Sequence, residues 1–211
     1  MAIDMGRMRF HLATILLLLP LMASAQNAAP PDFPVETVHS DADREIETVT
    51  SRPGWHGAGS APLDYQFGTG LEPDGDTILL IRAKAAASSK YFGTLMQSHP
   101  PGRYLGKRIK LTARMKSDDV SWLAMWLRVD GEKGEGEPLS FYNMHNHPVR
   151  GTRDWQTYEI VLDVPKQARL IAYGFFIAGG RGTAYADKVT LQPVGNDVAV
   201  TGTSLGFDTR F

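Results

Sequence analysis

Beyond Gly54 no stretch of ten or more residues keeps a helical apolar period, and this one feature restricts the fold most. Instead, short extended segments recur about every dozen residues, each closed by Gly, Pro, Asp or Ser. They read YQFGT, TILLIRAKA, YFGTLMQS, KRIKLTARMKS, SWLAMWLRVDG, LSFYNMH, WQTYEIVLDVP, RLIAYGFFIAGG and AYADKVTLQPV. Many short strands with regular turn signals predict an all-β sandwich or barrel rather than alternating βαβ units. The glycine-rich pieces GEKGEGE (131–137) and GGRG (179–182) follow strands with no helix behind them. A phosphate cradle needs that helix N-terminus, so both are expected to be hairpin turns.

Alternation within the segments separates a core face from a wet one, because successive strand side chains point to opposite sides. Ile109, Leu111, Ala113 and Met115 form a core row opposite Lys110, Thr112, Arg114 and Lys116. In the same way Tyr158, Ile160, Leu162 and Val164 oppose Thr157, Glu159 and Asp163. The segment SWLAMWLRVD departs from this scheme. Its core row is Leu123, Met125, Leu127 and Val129, yet its second row is Trp122, Ala124, Trp126, Arg128 and Asp130. A row holding two tryptophans and an arginine is covered by another layer or receives a ligand.

The ends of the chain differ from its middle. Arg7 and Arg9 precede the apolar run LATILLLLPLMA, and small residues close it at Ala23–Ala25. That is the pattern of a secretory signal peptide over residues 1–25, too short for a spanning helix of about 20 apolar residues. A periplasmic or secreted location follows, with no membrane attachment after cleavage. Residues 26–53 carry prolines and scattered acids without an apolar period, as a flexible linker does, with a short strand conceivable near Ile46–Val49. The β-sandwich domain is assigned to 54–194, and 195–211 form a C-terminal tail or an extra strand.

Charge and cysteine content narrow the partners. The chain has 22 Lys+Arg against 23 Asp+Glu, and excision of the signal removes two of the former and one of the latter. A nearly neutral chain without basic runs offers no footprint for nucleic acid. There are no cysteines, so an exported domain of this kind relies on its core alone.

Several constellations invite a chemical reading. His145 and His147 have strand spacing suited to zinc or copper, but no third ligand is marked and Pro148 follows, which favours a polar loop. No Gly-x-Ser-x-Gly elbow or cysteine provides a nucleophile. The acids Asp130, Glu159, Asp163 and Asp187 are not paired by spacing. No catalytic residue is assigned, and a metal-dependent hydrolase is the remotest reading. Aromatic residues remain. Trp122, Trp126 and Tyr142 can stack on sugar C–H faces, while Arg128, Asn143 and Asn146 can bind hydroxyl groups. Trp155, as a large aromatic, is expected in the core.

The stretches GKRIKLTARMKS, AMWLRVDG, LSFYNMHNHPVRGTRDWQTYEIVLDVP and IAYGFFIAGGRGTAYADKVTLQPV resemble bacterial galactose-binding-like and carbohydrate-binding β-sandwich modules, of the type found beside AraC-type regulators and secreted hydrolases. The resemblance covers Gly54 to about Val194 and is carried by LRVDG, the NM and GTRDW pieces, VLDVP and GTAYADKV. It implies a jelly-roll β-sandwich of antiparallel strands without catalysis of its own. Within it, GTRDW is read as a strand-entry turn with Asp154 tying the turn's amides. Asp187 occupies the slot where related sandwiches place an acid near a structural calcium, although Lys188 stands where a second acid is usual; no other cofactor is required. The function expected is that of an exported, non-catalytic module for a carbohydrate or small polar ligand. The alternative is an envelope structural domain whose same aromatic face meets a partner protein.

Overall fold

The computed structural model describes residues 54–71, 77–132 and 137–201, with the backbone of two paired strands, β1 (Val38–Ser40) and β2 (Arg44–Ile46). The expected signal peptide, the rest of the expected linker and residues 202–211 lie outside the described residues. Nine further strands follow: β3 (His56–Gly59), β4 (Tyr65–Leu71), β5 (Thr77–Ala83), β6 (Phe92–His99), β7 (Arg108–Asp130), β8 (Ser140–Tyr142), β9 (Val149–Asp163), β10 (Leu170–Ala178) and β11 (Thr183–Val194). Every pairing is antiparallel. The chain is an all-β antiparallel sandwich of the jelly-roll kind, and the segment Phe92–His99 is a strand.

One long strand builds both layers. The first part of the 23-residue β7 lies between β11 and β9, and its second part lies between β10 and β8. Layer one is therefore β4-β5-β11-β7-β9 and layer two is β3-β6-β10-β7-β8. Between them the register against β9 shifts repeatedly, and Asp119 takes a left-handed φ of 48°. Bulges of this kind bend a strand so that it can turn from one sheet into the other. The buried positions step from Ser117 to Val120 to Leu123. Two three-residue steps bend the strand yet return odd-numbered residues to the core, so both predicted rows are buried: Ile109 to Met115, and Leu123 to Val129.

The inner faces of the two layers share one apolar core. Phe67, Leu79, Ile81, Leu111 and Met115 come from layer one, and Leu95, Met125, Leu127, Phe175 and Ile177 from layer two. Two glycines of layer two admit rings from β4. A Cβ on Gly57 would lie 2.5 Å from the Phe67 ring, and one on Gly93 2.5 Å from the Tyr65 ring.

The structure corrects two local expectations. GGRG is not a hairpin turn. It carries the chain from β10 in layer two to β11 in layer one, with Gly179, Gly180 and Gly182 all at positive φ. GTRDW is not an entry turn but part of β9, where Gly151 (φ 69°) marks a bulge and Asp154 accepts the neighbouring Trp155 amide, at 2.8 Å. Of the strand expected near Ile46–Val49, Ile46 lies in β2 and residues 47–49 lie outside the described residues. Residues 195–201 run along β9 as irregular chain: Thr201 donates its amide to the Val161 carbonyl at 2.8 Å, and Arg108 reaches the carbonyls of Asn196 and Val198. Val161 is buried although it belongs to the outer row.

Candidate functional site

The outer face of layer two is where the unusual row of β7 lies. Register places Trp126 opposite Gly174 on β10, and Gly174 opposite Met96 on β6. One step along, Arg128 faces Ala172. At these two positions the middle strand contributes almost no side-chain volume, while Trp126, Met96, Phe92 and Phe141 from the other strands and Phe176 from β10 itself stand around them. A groove of about 410 Å³ results, lined also by Thr94, Arg128, Asp130, Asn143 and Leu170. Gly174 is required here, since a Cβ would lie 2.2 Å from the Leu95 carbonyl oxygen.

The polar groups of the groove are held in place. The Trp126 indole N–H donates to Thr94 Oγ1 at 3.0 Å, and the Thr94 hydroxyl donates to the Phe175 carbonyl at 2.9 Å. A large ring is thereby pegged across β10 by a buried hydroxyl. Arg128 donates from Nε to Asp130 Oδ1 at 2.7 Å, and the arginine side chain remains 43% exposed. Asn143 is buried, and its Oδ1 accepts the His145 amide at 3.1 Å in a tight turn that places Met144 at φ 53°. The carboxamide oxygen serves the turn, so the amide NH2 is the end that Asn143 can direct at a ligand. A pegged ring, an ion pair and a carboxamide can stack against and hydrogen-bond a polyhydroxylated molecule.

Of the residues singled out from sequence, Trp126, Arg128 and Asn143 meet in this groove. Trp122 shares their face but lies to one side, between Arg150, 4.4 Å over its ring, and His145, with ring centroids 5.6 Å apart. Tyr142 must be reassigned: it pairs with Leu127 and packs against the core, and its neighbour Phe141, opposite Arg128, is what β8 gives to the groove. Asn146 is exposed on the turn and does not line the groove. The sequence reading does not single out Thr94 or Met96. Their strand, β6, mixes polar and apolar residues on both faces, Leu95 and Gln97 on one and Thr94 and Met96 on the other, so alternation does not divide it.

The remaining candidates lie elsewhere. Asp187 is 1% exposed on the outer face of layer one, and both its oxygens accept from Arg114, Nε to Oδ1 at 2.9 Å and the second nitrogen to Oδ2. The cation beside this carboxylate is thus a guanidinium. Trp155 is not in the core: half-buried on the same outer face, it carries the Arg114 guanidinium 5.1 Å over its ring. Among the described residues no group of three or more His, Asp or Glu is placed to hold a metal ion, and His147 closes a turn on the Met144 carbonyl.

No protein-family model matches the chain. A curated protein of Bacillus subtilis (strain 168), described as the uncharacterized HTH-type transcriptional regulator YbfP, is 34% identical over 151 residues, 70% of this chain. The chain spans about half the length of that relative, 50%. Among solved structures, a CBM4 module is 19% identical with a TM-score of 0.46, covering 66% of this chain and 86% of the module. The CBM22-1 xylan-binding domain from Paenibacillus barcinonensis Xyn10C is 13% identical with a TM-score of 0.48, covering 68% of this chain and 88% of the domain. The enzymatically active domain of bacteriophage CBA120 tailspike protein 4 has a TM-score of 0.49 at 14% identity, covering 67% of this chain and 20% of that one. The layers described above rest on this chain's own strand pairing.

Proposed function

We propose that the outer face of layer two is a non-catalytic binding site for a carbohydrate or a similar polyhydroxylated ligand, carried by an exported protein. Trp126 carries the reading. Its ring is half-buried, fixed by Thr94 and stationed above a floor made of Ala172 and Gly174. Sugars present apolar C–H faces that pack on such rings, and hydroxyl groups that suit guanidinium, carboxylate and amide groups arranged around them. A groove of about 410 Å³ lies within the range of small-ligand sites. Export rests on the N-terminal basic and apolar pattern of the sequence. The stretch shared with an HTH-type regulator supports a sensing or binding module over an enzyme.

The test is a titration of neutral oligosaccharides against the wild-type protein and Trp126→Ala, with circular dichroism as a control for folding. Loss of a central aromatic anchor should weaken binding by about 2 kcal/mol, roughly 30-fold. Unchanged affinity in a folded variant would remove Trp126 from the site. A protein that binds no sugar but co-purifies with a partner through this face would replace the carbohydrate reading with that of a structural interaction domain.

A further inference from the structure

We infer that the groove selects a neutral ligand with adjacent hydroxyl groups and discriminates against acidic sugars, an inference that rests on the carbohydrate reading above. Among the described residues lining the groove, Arg128 and Asp130 alone carry formal charge, and they are bonded to each other at 2.7 Å. Just beyond the rim the pattern repeats: Arg169, whose amide donates to the Asp130 carbonyl, bonds Glu132 at 2.5 Å through its side chain. The site offers complementary charges that already satisfy one another.

That arrangement sorts ligands by charge. A carboxylate approaching Arg128 meets the Asp130 carboxylate at the same place and must displace it, so attraction and repulsion largely cancel. An ammonium ligand has the converse difficulty with Arg128. Two adjacent hydroxyl groups face neither cost. One donates to Asp130 while the next accepts from Arg128, and the ion pair stays intact. The Asn143 amide supplies a further donor, and the Trp126 ring supplies an uncharged stacking surface. The groove crosses every strand of layer two, from Ala58 on β3 to Phe141 on β8. With strands about 4.8 Å apart this gives a span of about 19 Å, so the ligand has the dimensions of a short chain.

The experiment titrates the wild-type protein with xylohexaose, cellohexaose and mannohexaose, and with an oligogalacturonate of equal length. It is run at a single pH of about 8 throughout, so that the ligands are compared in one protonation state of the protein. At least one neutral oligomer should bind about tenfold or more tighter than the uronate. Its affinity should hardly change between about 0.05 and 0.5 M salt, since no net charge is neutralised. In Asp130→Asn the freed guanidinium should reverse the order, with the uronate gaining about tenfold and the neutral ligand losing affinity. A wild-type protein that binds the uronate as tightly as any neutral oligomer overturns the inference while leaving carbohydrate binding in place. So does an Asp130→Asn variant whose preference is unaltered. Binding of none of the four removes the carbohydrate reading and this inference together.

Discussion

Trp126 on β7 reaches across β10 to donate its indole N–H to Thr94 on β6, 3.0 Å away. Thr94 is 4% exposed and donates its own hydroxyl hydrogen bond to the Phe175 carbonyl. One hydroxyl therefore satisfies a donor and an acceptor at once and sets the tilt of the ring. Thr94→Val keeps the shape but leaves the indole N–H and the carbonyl without this partner. The expected loss is about 1–3 kcal/mol in urea unfolding, with weaker sugar binding from a less ordered ring. Thr94→Ser restores the hydroxyl and should recover most of both. A Thr94→Val protein with wild-type stability and affinity would show that the peg has no role.

The outer face of layer one is organised around charge. Asp187 is buried with Arg114 on both oxygens, and Arg114 in turn lies over Trp155. Removing one member of such a pair strands the other, at a cost of about 3–5 kcal/mol, whereas replacing both by apolar residues of similar volume is often nearly neutral. Arg114→Met should therefore lower the urea midpoint sharply, and Arg114→Met with Asp187→Leu should regain most of the loss. Equal destabilisation by the single and double variants would contradict this account.

Alkaline pH should weaken the fold through Tyr65. Burial, reinforced by the neighbouring Asp64 carboxylate, pushes its phenol from the ordinary value near 10 up to about 12. Its hydroxyl donates to the Tyr91 carbonyl at 2.8 Å. Because the folded-state value is raised, the unfolded chain releases the proton first. Stability is fully present below about pH 10 and declines as pH rises toward about 12. Burial raises Tyr158 and Tyr173 in the same direction. Urea midpoints across pH 9 to 12 should fall less steeply for Tyr65→Phe than for the wild type. Parallel curves would place the alkaline transition elsewhere.

What the sequence revealed, and what it concealed, follows from alternation. Where one strand face is apolar and the other polar, as over Ile109–Met115, the buried row can be read directly and is the one found. Leu123–Val129 is equally plain, and the row opposite it supplies Trp126, Arg128 and Asp130 to the groove. β10 is apolar on both faces, one meeting the core and the other the groove, and β6 mixes polar with apolar residues on each face, so alternation does not tell which row of either strand is buried. On β8 the face is legible only to within one residue. Its pairing with β7 depends on the connection between them, and the register sets Phe141, not Tyr142, opposite Arg128. Trp155 was expected inside on account of size, yet a guanidinium covers its face without a core around it. The exchange of β7 between layers was not legible either: two three-residue steps preserve parity, so the alternation looks uninterrupted across a bend.

Two glycines separate the steric from the conformational reasons for the residue. At Gly174 the backbone has no unusual φ, but an added Cβ would meet the Leu95 carbonyl oxygen at 2.2 Å and Met96 Cα at 2.9 Å. Neither atom can swing aside as a side-chain tip would. Gly174→Ala should therefore force β10 away from β6, costing at least about 1–3 kcal/mol and disturbing the floor beneath Trp126, so that stability and sugar affinity fall together. At Gly151 nothing lies within 4 Å of the Cβ position, but φ is 69°. Gly151→Ala should cost roughly 1–2 kcal/mol, Gly151→Asn less because asparagine tolerates that region, and neither should alter the groove on the other layer. Thermal unfolding and oligosaccharide titration of the three variants check the distinction. A Gly174→Ala protein that binds normally would mean that the floor of the groove is more yielding than the contacts of Leu95 and Met96 allow.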